Sequence, residues 1–127
     1  MKNLTLAICL TLAVLLGSTG TSWGADFNKG LAAAHSGDFA TALREWRPLA
    51  EQGDADAQYN LGYMYFKGQS VPQDYVYAHM WWNIAAASGH KDASENRDIV
   101  AKEMTPADIS AAQKLSSECV AKKYKGC

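Results

Sequence analysis

The chain repeats itself. Displaced by 36 residues, Asp38 falls on Asp74, Phe39 on Tyr75, Ala42 on Ala78, Trp46 on Trp82, Ala50 on Ala86, Gly53 on Gly89 and Ala57 on Ala93. The matched positions step by four, four, four, three and four, which marks one face of a helix and the turn that leaves it. Each residue type has a physical role there. The Asp starts a helix, the Ala lets two helices approach, the aromatic fills the space beside it, and the Gly reverses the chain. A helix pair of this kind cannot bury its apolar face alone and must stack on a neighbouring pair.

The rest of the sequence agrees with an all-helical chain. No stretch alternates apolar and polar residues for long enough to make a strand. Breaks fall at Ser36-Gly37-Asp38, Gly53-Asp54, residues 68–73, Ser88-Gly89 and Met104-Thr105-Pro106, each with a glycine, a capping residue or a proline. Helices are expected over residues 26–36, 38–52, 55–67, 74–88, 91–103 and 106–123. Thr105 caps the last, with Pro106 at its first position and Asp108 in its first turn. Pro48 lies inside the second, where it removes one backbone hydrogen bond and favours a kink.

The second unit carries a fuller pattern. Ala57-Gln58-Tyr59-Asn60-Leu61-Gly62-Tyr63-Met64-Tyr65, Gly68, Val71-Pro72-Gln73-Asp74-Tyr75, Ala78, Trp81-Trp82, Ala85-Ala86 and Gly89 together resemble one complete Sel1-like repeat of the exported bacterial type, the longer-loop relative of the tetratricopeptide repeat. Ser70 departs from the pattern, standing where the family usually has Gly. The upstream unit is degenerate: Gly30, Ala33, Gly37, Asp38, Ala42 and Trp46 resemble the tetratricopeptide spacing with four fewer loop residues. The resemblance implies an all-α fold, a short α/α superhelical solenoid of stacked antiparallel helix pairs. The expected division is a signal peptide at 1–24, a degenerate helix pair at 25–53, a Sel1-like repeat at 54–89, and a half repeat with a C-terminal capping helix and tail at 90–127.

The same resemblance sorts the side chains. Gly30, Ala42, Trp46, Leu61, Gly62, Tyr65, Ala78, Trp82, Ala85 and Gly89 take the packing positions of the repeats. Tyr59, Tyr63 and Phe66, spaced i, i+4 and i+7, map to the concave groove of tetratricopeptide proteins, as do Phe27 and Leu31 of the first unit. Trp81, one position on from the core, is expected to be partly exposed and joins them. A groove lined with Tyr suits an extended peptide or a partner helix, since Tyr offers a large apolar face, a hydroxyl and little entropy to lose. The alternative is that these aromatics simply pack against the next helix pair.

The first residues have a different character. Met1-Lys2-Asn3 is a short positively charged start, residues 4–16 form an apolar run, and residues 17–24 are small and polar except for Trp23. This is the layout of a secretory signal peptide, with cleavage expected after Gly24 or after Ala25. A helix of that apolar run would be about 20 Å long, short of a hydrocarbon core of about 30 Å. Ile8 is too large for the residue before a lipidated cysteine, and Cys9 comes too early for one. No membrane span is expected once the signal is gone, and the place of action is the periplasm or the exterior.

Cleavage would leave Cys119 and Cys127. They form either one disulfide or a pair of free thiols on a frayed tail. On one continuous helix they would stand about 12 Å apart, and a disulfide needs Cα atoms within about 7 Å, so the bonded form requires the chain to leave the helix and fold back at Gly126.

Signals for catalysis are sparse. His35, His79 and His90 show no metal-ligand spacing and are expected at the surface or in turns. Ser88-Gly89-His90-Lys91 matches the Ser-x-x-Lys string of penicillin-binding enzymes, but the companion motifs are missing and Gly89 is the turn glycine of the repeat. Some cysteine-rich secreted relatives of the repeat are linked to β-lactam binding, and this chain lacks their paired cysteines in each repeat. With 12 Lys and Arg against 13 Asp and Glu, there is no basic excess to meet nucleic-acid phosphates. Lys122, Lys123 and Lys125 complement a helix C-terminus. The function expected is a protein- or peptide-binding module of the cell envelope, monomeric alone, without enzyme activity, cofactor or metal, its partner unidentified. The alternatives are a small hydrolase or β-lactam-binding protein, or an obligate accessory subunit of an envelope complex.

Overall fold

Side-chain caps set every helix start. In the computed structural model, which describes residues 24–127, the Asp26 carboxylate accepts the amides of Asn28 and Lys29, Asp38 that of Thr41, Asp54 that of Ala57, and Asp74 those of Val76 and Tyr77. His90 Nδ1 caps the fifth helix at Ala93, and the Thr105 hydroxyl caps the sixth at Asp108. Each such cap contributes about 1 kcal/mol by satisfying an orphan amide. The resulting helices are α1 (Phe27–His35), α2 (Phe39–Glu51), α3 (Ala55–Lys67), α4 (Tyr75–Ala87), α5 (Lys91–Ala101) and α6 (Pro106–Ala121), with no strand among the described residues. They match the expected spans to within two residues at each end, because the flanking residues are caps. α2 runs on through Pro48. Apart from Gly24, the candidate signal segment lies outside the described residues, and so does Cys9.

The pairs α1–α2 and α3–α4 pack against each other through α2 and α3, and α5 adds to α4. This is the all-α stacking of helix pairs that the resemblance implies. Where α6 goes is different from a simple end cap. It turns back and lies along α4. A polar seam joins the three helices. Asn83 Nδ2 donates to the Ser116 hydroxyl (3.0 Å), while Arg97 donates to Asn83 Oδ1 (3.0 Å) and to the Ser94 hydroxyl (3.3 Å).

α4 is therefore the central element. Ala78, His79, Met80, Trp81, Trp82, Ile84 and Ala85 are all buried, covering more than one full turn, as expected for a helix with neighbours on every side. Its neighbours form two apolar clusters. Trp81, Met80 and Ile84 face one with Trp46, Leu61, Met64 and Cys119. Ala78, Trp82 and Ala85 face the other with Ala93 and Val100. Two expectations are corrected here. Trp81 is fully buried, and His79 is buried too, because α4 presents several faces to protein where a helix at a surface presents one.

Cys119 and Cys127 are joined by a disulfide with Cα atoms 5.7 Å apart. The chain achieves this as required, leaving the helix after Ala121 and reversing through left-handed Lys123 (φ 52°), Tyr124 (φ 65°) and Gly126. The closed loop sets the Tyr124 ring beside Gly53, at the turn between the first two helix pairs.

Candidate functional site

The repeats are built around one local device, present twice. The Trp46 indole lies against Gly30 and the Trp82 indole against Gly62. A Cβ on Gly62 would stand 2.5 Å from Trp82 Nε1, and one on Gly30 would fall onto Trp46 Nε1. Trp82 Nε1 donates to the Tyr59 carbonyl (3.0 Å), and Trp46 Nε1 to the Phe27 carbonyl (3.2 Å). In both units the acceptor lies three residues before the glycine. Burying the indole costs no unsatisfied donor, because the missing glycine side chain opens a path to that carbonyl.

The other packing positions are mostly buried as well. Gly30, Ala42, Leu61, Ala78 and Ala85 lie inside. Tyr65 is partly buried and stacks on Tyr77 with ring centroids 5.2 Å apart. Gly89 is corrected: it is exposed, with φ 91° and nothing within 4 Å of a Cβ placed there, so it reverses the chain and packs against nothing.

The six residues assigned to the groove separate into four groups. Phe27 and Leu31 pack on the first cluster, Phe27 tilted against Trp46. Trp81 is buried away from any partner. Tyr59 packs against the start of α5: its ring stacks on His90 at 4.7 Å, and its hydroxyl accepts from Asn96 Nδ2 at 3.3 Å. Burial pushes the Tyr59 hydroxyl pKa up, and the nearby Asp92 carboxylate adds to this. His90 uses both ring nitrogens, Nδ1 on the Ala93 amide and Nε2 3.0 Å from the Asp56 carboxylate.

Tyr63 and Phe66 do share a cleft. It lies between α3 and α5, has a volume of about 100 Å³, and is walled by Tyr63, Phe66, Trp82, Asn96, Ile99 and Val100. Trp82 and Val100 are buried, whereas Tyr63 is 40% and Ile99 58% exposed. Phe66 is held in place by stacking on Tyr75 at 5.4 Å and by its tilted contact with Trp82 at 5.7 Å. The Lys67 ammonium lies 5.8 Å from the Tyr63 ring centre and 5.6 Å from that of Phe66.

Asn96, Ile99 and Val100 are absent from the sequence-based assignment, although a signal for them exists. Carried on into α5, the shift of 36 sets Asn96 under Asn60, Ile99 under Tyr63 and Val100 under Met64. The half repeat thus supplies the second wall of the cleft.

Among the described residues, no three His, Cys, Asp or Glu side chains converge as metal ligands, and no helix is long and apolar enough to cross a membrane. What the arrangement offers is an apolar notch with the Lys67 ammonium beside it. Comparison with protein families detects a Sel1 repeat at residues 55–90, which is the α3–α4 pair with its exit turn. No curated protein matches the chain. This is a helical-repeat protein carrying a Sel1 repeat, a unit that points to protein–protein interaction.

Proposed function

We propose that this chain is an exported protein–protein interaction module of the cell envelope, of the bacterial type, and that its partner binds in the cleft between α3 and α5. The observation that carries the reading is the pair Tyr63 and Ile99. Two large apolar side chains stand exposed on either side of one notch, at equivalent positions of consecutive units. Exposed apolar side chains that flank a preformed notch mark interaction sites. The repeat detected at 55–90 supports protein contact as the task. The charged, apolar and small-residue zones of residues 1–24 support export, and the Cys119–Cys127 bond suits an oxidising compartment.

Two measurements test it. Fractionation of cells expressing the chain should place it outside the cytoplasm, shortened at its N-terminus to Ala25 or the following residue. Recovery in the cytoplasm at full length sinks the export reading. Affinity capture from the same fraction should retain a partner with the wild-type protein and lose it with Tyr63→Ala. Circular dichroism checks that the variant folds, and capture that survives the change removes the cleft from the function.

A further inference from the structure

Building on that reading of the cleft, we infer that it receives a single aliphatic side chain of a partner segment that carries an Asp or Glu about two residues away. The cleft's size sets the first half. Pockets for small organic ligands run from about 300 to 1,000 Å³, and a closed apolar cavity of about 150 Å³ holds one benzene. At about 100 Å³ this notch has room for one aliphatic side chain and too little for a cofactor or an aromatic anchor. Its walls agree. Apart from Asn96, whose Nδ2 donates to the Tyr59 hydroxyl, they are aromatic or aliphatic. Inserting an apolar side chain there removes apolar surface from water.

Charge sets the second half. Lys67 forms no ion pair with any described residue, and its ammonium sits within 6 Å of both aromatic walls. An extended segment advances about 3.3 Å per residue, so a carboxylate meeting Lys67 belongs two residues from the anchor. Beyond the cleft, at the Tyr59 end of the same face of α3, the charge has the opposite sign. Asp92 acts on the Tyr59 hydroxyl and Asp56 meets His90. Tyr59, Tyr63 and Lys67 lie on one stripe of α3, so these ends are about 12 Å apart along the helix. A uniformly acidic segment is repelled at the Tyr59 end. The cleft therefore selects a segment whose acid points toward Lys67, which gives the bound chain one direction.

Selection of displayed random dodecapeptides against the immobilised, disulfide-oxidised protein tests this at low salt. Wild type should enrich an aliphatic residue two positions from Asp or Glu. Lys67→Glu should keep the aliphatic residue and exchange the acid for Lys or Arg. Ile99→Glu should lose the aliphatic preference. Both residues are exposed, and circular dichroism of the variants confirms that they fold. For a selected peptide, shortening the anchor by one or two methylenes should weaken binding by about 10- to 200-fold. Lys67→Gln should weaken it by about fivefold, a loss that fades as salt rises. A wild-type consensus without an acid, or one unchanged by Lys67→Glu, overturns this inference and leaves the cleft as a binding site. Peptides indifferent to both Tyr63→Ala and Ile99→Glu overturn the cleft itself, and no enrichment at all counts against both.

Discussion

The two complete helix pairs contain the same device in different settings. In α1–α2 and in α3–α4 an indole lies on a glycine and donates to the carbonyl three residues before it. The four extra residues between Gly62 and Asp74 are taken up in the loop after α3 and leave that contact unchanged. The second helices of the pairs differ sharply. α2 buries only Ala42, Trp46 and Ala50, one stripe, because its neighbours are α1 and α3. α4 is buried over more than a turn because α3, α5 and α6 all lie against it. The glycine–indole contact is thus a local matter, carried by a few residues wherever they occur. The degree of burial is decided by position in the stack.

The tryptophans give the sharpest test of that contrast. Replacing a buried Trp by Ala costs about 3–5 kcal/mol. Trp82→Ala should fall at the upper end and Trp46→Ala at the lower, read as the shift in urea midpoint at constant slope. Equal losses would mean that position in the stack does not matter. The glycines test the opposite half. Gly62→Ala and Gly30→Ala each push out an indole and break its hydrogen bond, at about 3 kcal/mol by overpacking and the lost bond. Their losses should be alike, and a clear difference would show that the two contacts are not one device.

The Cys119–Cys127 bond holds Tyr124 at the turn between the pairs. Cys127→Ser should cost about 2–3 kcal/mol, the chain-entropy value for a short loop, and a dithiol reductant should lower the wild-type melting temperature to match. Ser70 sits in the loop that distinguishes the second unit and adopts φ 58°, a left-handed conformation that costs a side chain about 1–2 kcal/mol. Ser70→Gly should therefore raise stability by about 0.5–1 kcal/mol, visible as a higher melting temperature, because glycine's greater loss of entropy offsets part of the gain.

The smallest effect concerns pH. Burial lowers the His79 pKa, and the nearby Arg97 charge adds to this against the weaker pull of Asp98. A histidine depressed in the folded state binds its proton more readily when unfolded. Stability is therefore unaffected by this group above its ordinary pKa of about 6.5 and declines as pH falls below it. Leu43 stands at the matching position of α2, so this histidine has no counterpart at that position of the first pair. His79→Gln should flatten the stability profile between neutral and mildly acidic pH, and an unchanged profile would assign the dependence elsewhere.

The sequence carried much of the architecture unaided. Aspartates and Thr105 start helices wherever they stand ahead of an apolar face, and the turns at Gly53 and Gly89 need a positive φ that glycine supplies without strain. The match at 36 residues also held the register of α5, with Ile99 under Tyr63, so half of the cleft was legible without coordinates. Other features depended on where α6 went. A helix's own periodicity says which residues share a face, and says nothing of how many neighbours will cover that face. Because α6 folds back onto α4, Trp81 and His79 lie inside. Because α5 is left uncovered on the side of Tyr63, Ile99 stays out in water beside it. Local sequence determines caps, turns and the glycine–indole contacts through short-range sterics and hydrogen bonds. Burial is a property of the whole packing, and only the tertiary structure decided which of the aromatics became core and which became surface.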